Sequence, residues 1–341
     1  MLSVDALTKL LGYADSEWFR TKESHFEPEA VQLFRLAKER TGEKFSVKGF
    51  YVLKTAAGKE APLAPRPAVC VAEAPSAEDA RKLHRRIWNL GNIPFLIVRL
   101  PGEVRVYCGF HYEQASDAGL ILSETSGDER KLVSALADFS AASVDSARIW
   151  QAQRQHLETR RRVDATLLEN LKHLAQALDK HCTPALNDLA LAHALIGEFV
   201  YLRYLRDRNI LDDDWLAKHR INLGHVFGPA ATVSELSKLV NALEARFNGD
   251  VFHIDFGPKC PLADAHVQLV ASVFAGGDVW TGTTDYVHQL HLRFQAFDFR
   301  HIPVEMLSSI YEQFLHGQQK GKSEGAYYTP EVLADYLLSE I

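Results

Sequence analysis

The apolar residues of this 341-residue chain change their spacing once, near residue 125, and that change limits the folds open to it. Before it they come in short runs of β-branched and aromatic residues bounded by Pro and Gly. After it they recur at helical spacing for some two hundred residues. A chain patterned in this way is expected to be α+β, with its strands gathered in the first part. The expected division is an α/β domain over 1–125, a mainly helical domain over 126–300, and a linker helix leading into a further domain over 301–341.

Within the first part, Phe45 to Thr55 and Pro67 to Ala74 read as strands. Pro94 to Leu100 and Val104 to Phe110 read as a hairpin about a Pro101-Gly102 turn. Between the second and third runs, Ser76 to Leu90 reads as a helix. It has a serine at its N-cap, early acids, apolar residues at Leu83, Ile87 and Leu90, and Gly91 to end it. The order is therefore β, β, α, β, β. Further on, Arg148 to Leu178, Asn187 to Leu211 and Val233 to Arg246 read as long amphipathic helices.

The formal charge of −6 excludes a surface given over wholly to nucleic acid, because phosphate contact needs Lys and Arg gathered on one face. Contact with DNA, if made, is expected to be local or to lie in polypeptide outside this stretch. The cysteines Cys70, Cys108, Cys182 and Cys260 form no CxxC pair, so neither a zinc site nor a disulfide framework is expected. No run approaches about 18 consecutive apolar residues, and the first residues lack the layout of a secretory signal. A cytoplasmic protein with no membrane partner is the expectation.

The last forty residues carry the densest information. Pro303 to Leu315 reads as a helix with Leu307, Ile310, Tyr311 and Phe314 on one face. The polar, glycine-rich and basic GQQKGKSEG, Gly317 to Gly325, reads as a loop. GAYYTP then opens a second helix, with Thr329 as its cap, Pro330 at N1, and Val332, Leu333, Tyr336 and Leu337 as its buried stripe. Two adjacent tyrosines between a loop and a helix N-terminus can wall a pocket for a flat ligand beside exposed amide N–H groups. Two tyrosines packed on a core below a Thr-Pro helix start explain the same residues.

IPVEMLSSIYEQFL followed by a basic spacer and GAYYTPEVLADYLL resembles the segment that precedes the catalytic domain in N6-adenine DNA methyltransferases, including fused restriction-modification enzymes and phage-defence methylases. His193 to Leu211 and Phe247 to Phe252 are similar, less specifically, to that family's helical region. The resemblance implies that residues 301–341 begin a Rossmann-like methyltransferase domain. It implies S-adenosyl-L-methionine as cofactor, held by Gly325, Tyr327, Tyr328, Thr329 and Pro330, and double-stranded DNA as substrate, with the target adenine flipped out of the duplex. The family's glycine-rich cofactor loop and Asn-Pro-Pro-Tyr element lie downstream of this helix. The sequence reaches Ile341 without either, so the expectation is that this stretch alone transfers no methyl group.

The β-β-α-β-β order of the first part resembles the core of PD-(D/E)xK nucleases, which implies two carboxylates and a lysine around Mg2+. The pattern is incomplete. Glu73 stands in a suitable place, but Pro75 occupies the lysine position, leaving Lys82 of the helix as the substitute. An active metal-dependent nuclease and a decayed nuclease fold kept for DNA or for other defence-system subunits both remain open. So does a non-enzymatic scaffold. Arg81, Lys82, Arg85 and Arg86 on the helix, and Arg160, Arg161 and Arg162 further on, are the candidate phosphate-facing cations, although a solvated helix face explains the same charges. His253 and Asp255 alternate on a possible strand. Arg203, Arg206 and Arg208 are expected to pair with Asp207 and the acids at 212–214.

Overall fold

The computed structural model describes residues 2–21, 44–53, 66–247 apart from 126, and 252–316 apart from 278, 284, 285, 291 and 293. The fold is α+β. Six strands form one mixed sheet in chain order: β1 (Phe19–Arg20), β2 (Ser46–Val52), β3 (Pro67–Glu73), β4 (Phe95–Leu100), β5 (Glu103–Cys108) and β6 (Leu120–Thr125). Every neighbouring pair is antiparallel except β3 and β4, which run parallel from Val69 opposite Phe95 to Glu73 opposite Arg99.

Parallel neighbours need a connection that returns to the starting end of the sheet, and a helix provides it. Here α2 (Ala77–Leu90) does so, α1 (Val4–Leu10) having preceded β1. The Ser76 hydroxyl accepts from the Asp79 N–H at 3.2 Å and opens α2. Gly91, at φ 69, closes it in the left-handed region and donates to the Ile87 and Trp88 carbonyls. The side chains that alternate along β3 serve opposite faces. Cys70, Ala72 and Ala74 pack with Ala80, Leu83 and Ile87 of α2, while Val69 and Val71 pack on the other side with Leu7 of α1.

That second face recruits helices from beyond residue 125. Leu132 and Leu136 from the α3 segment (Glu129–Ala135 and its cap), Phe139, Val144 of α4 (Ala141–Asp145) and Ile149 of α5 (Arg148–Ala152) all join its core. The Tyr13 hydroxyl donates to the Phe139 carbonyl, and the Tyr51 hydroxyl donates to Asp145 Oδ1 at 3.0 Å. The compact unit around the sheet therefore runs to Ala165, forty residues past the expected boundary at 125.

The stretch expected as one helix from Arg148 to Leu178 is broken. After α5 come two short 3₁₀ turns, Arg154–His156 and Thr159–Arg161, before α6 (Val163–Lys180) begins. Across this break Arg160 and Arg161 both reach Glu158, and Arg162 reaches Asp164.

The other compact unit runs from Thr166 to Arg300 and takes in the chain again from Met306. Its described elements include α7 (Leu189–Asp207), α8 (Asp213–Lys218), α9 (Val233–Phe247), α10 (Asp264–Phe274), a hairpin of β7 (Val279–Thr283) and β8 (Tyr286–Leu290), and most of α11 (Val304–His316). The possible strand at Val251 to Phe256 is not formed among its described residues. Asp255 Oδ1 instead accepts the Gly257 N–H at 2.9 Å, a side-chain-closed turn.

Because Leu83 is fully buried between α2 and the sheet, Leu83→Ala should lower the unfolding free energy by about 3 kcal/mol. Denaturant titration followed by circular dichroism measures it.

Candidate functional site

The expected nuclease pair is not brought together. On β3, Glu73 follows Val69 and Val71 onto the α1 face, whereas α2, which bears Lys82, covers the opposite face through Ala80, Leu83 and Ile87. Lys82 is engaged on its own helix, 3.0 Å from Glu78 and 3.7 Å from Asp79. The hydrogen bond that its ammonium donates to Glu78 is the first cause of its raised pKa. Beside Glu73 in the sheet stands Arg99, whose Nε donates to the Leu2 carbonyl at 2.9 Å. Among the described residues no group of three His, Cys, Asp and Glu side chains could hold a metal ion.

The two basic clusters have acids near them. Arg81 lies 3.2 Å from Asp117, which Arg105 also approaches at 3.6 Å. Arg86 is buried, with its guanidinium 5.1 Å over the Phe45 ring, so it belongs to the packing of the sheet and not to a solvent-facing strip. Arg160 and Arg161 share Glu158 at 3.4 and 2.8 Å, and Arg162 pairs with Asp164 at 3.3 Å while lying 4.8 Å over Phe110. Arg85 is partly exposed on α2.

Between these clusters runs the segment joining β5 to β6, and it is built on a histidine that sequence reasoning passed over. His84 of α2 is fully buried. Its Nε2 lies 2.8 Å from the Cys108 carbonyl, its ring is stacked on Tyr107 at 4.7 Å, and it meets Tyr112 edge-on at 5.4 Å. Burial pushes its pKa down from the ordinary 6.5 to about 4, against the opposing pull of the backbone carbonyls. The signal in the sequence is a polar residue next to Leu83 on the apolar stripe of α2.

In the helical unit, segments that are far apart in sequence meet. His193 of α7 lies tilted against Phe314 of α11 with ring centres 4.0 Å apart, and Phe252 lies edge-on to Tyr311 at 4.4 Å. Gly197, one turn after His193, is the notch that admits both rings. A Cβ there would stand 2.8 Å from Phe252 Cδ1 and 2.9 Å from Tyr311 Cε2. Next to it Glu198 is buried, and its charge adds to the burial that raises the pKa of Tyr311 and of Tyr201. A glycine in the middle of an apolar helix is the mark this junction leaves in the sequence. Two of the expected arginine pairs also form, Arg203 with Asp207 at 2.9 Å and Arg206 with Asp213. Arg208 donates to the Phe299 carbonyl and covers the Tyr204 ring at 4.5 Å.

The residues assigned by resemblance to the methyl donor, Gly325, Tyr327, Tyr328, Thr329 and Pro330, lie outside the described residues. Comparison with known proteins finds no match to a family model, to a curated protein or to a solved structure.

Well above pH 6.5 His84 is neutral whether the chain is folded or not, and its contribution to stability is complete. As pH falls from 6.5 toward 4 the unfolded chain takes up a proton that the folded chain refuses, and up to about 3 kcal/mol is lost. Unfolding free energy measured across that interval should decline less steeply in His84→Gln. Gly197→Ala, which in a freely exposed helix stabilises by about 0.5–1 kcal/mol, should here lower the thermal midpoint, because the methyl group meets two rings at once.

Proposed function

We propose that the chain is the amino-terminal part of an S-adenosyl-L-methionine-dependent DNA adenine-N6 methyltransferase of a restriction-modification or phage-defence system. The observation that carries this reading is the junction of His193, Gly197, Phe252, Tyr311 and Phe314. The three stretches that resemble the methyltransferase family, at 193–211, 247–252 and 302–315, are separate in sequence, and each contributes a side chain to that junction. Their meeting supports reading them as parts of one domain. In this reading α11 leads to the GAYYTP element, whose Gly325, Tyr327, Tyr328, Thr329 and Pro330 contact the methyl donor, and a Rossmann-like domain begins there.

The sheet unit is read as a nuclease-related core without its chemistry. Its β-β-α-β-β order and central parallel pair suit the PD-(D/E)xK resemblance, while the placement of Glu73 and Lys82 on opposite faces favours a role in holding DNA or other defence-system subunits over Mg2+-dependent cleavage. The setting in this reading is the cytoplasm, where duplex DNA is the substrate.

Calorimetric titration of the intact gene product with S-adenosyl-L-methionine should show saturable binding. Replacing Tyr327 and Tyr328 together by alanine should weaken it at least tenfold, about 1.4 kcal/mol. Absence of binding, or equal binding by the double variant, overturns the reading.

A further inference from the structure

The two basic clusters, about seventy-five residues apart in sequence, belong to one surface. Trp88, at the end of α2, donates its indole N–H to the Arg161 carbonyl at 3.0 Å and so ties the Thr159–Arg161 turn to the helix that carries Arg81 and Arg85. The Arg161 guanidinium reaches the His111 imidazole at 2.9 Å, and Arg162 covers Phe110. Arg81 holds Asp117 at the far end of the same segment. Tyr112, half-buried against His84 and Trp88, lies in the field of both Arg85 and Arg81, which draw its pKa down against the larger raising effect of burial. Residues 110–117 are thus flanked by arginines on two sides.

We infer that this surface is a seat for the phosphate backbone of duplex DNA, with Arg85 and the Arg160–Arg162 turn contacting it from either side of the Phe110–Tyr112 segment. The inference rests on the DNA-acting reading above. Arginines 81, 85, 160, 161 and 162 border this segment together with the carboxylates Glu113, Asp117, Glu158 and Asp164. Arg160 and Arg161 divide one carboxylate between them, and the Arg160 side chain is 82% exposed. Exposed pairs of this kind are worth only about 0–1 kcal/mol, so a phosphate can take the guanidinium over at little cost. Arginines interleaved with half-exposed rings form a surface that tracks a nucleic-acid backbone. Arg86, buried on Phe45, takes no part.

The test is fluorescence anisotropy of a labelled duplex of mixed sequence titrated with the full chain at low and at physiological salt, with no methyl donor present. Binding should weaken with salt, and Arg85→Ala and Arg160→Ala should each lower the salt slope by about one. Trp88→Phe removes no charge yet should weaken binding several-fold, because it frees the turn from α2. Arg160→Glu, a change at an exposed side chain, keeps the test sharp if Trp88→Phe is poorly folded. Wild-type affinity in the arginine variants, no binding by the parent chain, or equal displacement by polyglutamate overturns the inference. Loss of duplex binding in these variants with calorimetric titration of the methyl donor unchanged separates this surface from the cofactor reading.

Discussion

The parallel register of β3 against β4 is the constraint from which the sheet unit follows. Five residue pairs, Val69–Phe95 to Glu73–Arg99, run in the same direction, so the chain must travel back along the sheet before β4 can begin. α2 makes that return, and the small side chains Cys70, Ala72 and Ala74 beneath it let the helix lie close. Sealed in that layer, the Cys70 thiol has its pKa driven far up by burial, which leaves it an inert packing group. The same close layer buries His84 and Trp88, and through them positions the segment between β5 and β6.

The other face of the sheet shows why composition and periodicity misplace a domain edge. Helical spacing begins near residue 128, and a boundary read from it falls there. Yet Leu132, Leu136, Phe139, Val144 and Ile149 are the apolar cover of β3 and β4, and α1 alone is too short to supply it. Periodicity reports the secondary structure that a segment adopts, not the core that it completes.

Much of the local architecture was legible. The Ser76 cap, the Gly91 stop, the strands at β2 to β5, and the helices α7, α9 and α11 all stand within a few residues of where spacing and capping chemistry put them. β1 left no signal, being two residues long, and neither did the bend that splits the stretch from Arg148 to Leu178. The site was legible only in pieces. Arg81, Arg85 and Arg160 to Arg162 stand out in sequence as charge, but their common surface depends on the indole of Trp88, which reads there as one more apolar residue of α2. Glu73 and Lys82 are a plausible pair by spacing alone, and only the alternation of β3 side chains between two faces separates them.

The sheet also ends unevenly. On one side β1 offers two residues of backbone; on the other, β6 runs for six, with side chains that are partly or fully open to solvent and with no further strand beside it among the described residues. A short margin gives an incoming extended peptide almost nothing to zip onto, whereas a six-residue margin presents a ready row of amides and carbonyls. Charged substitutions meant to keep the protein dispersed in a concentrated preparation therefore belong on Leu120–Thr125.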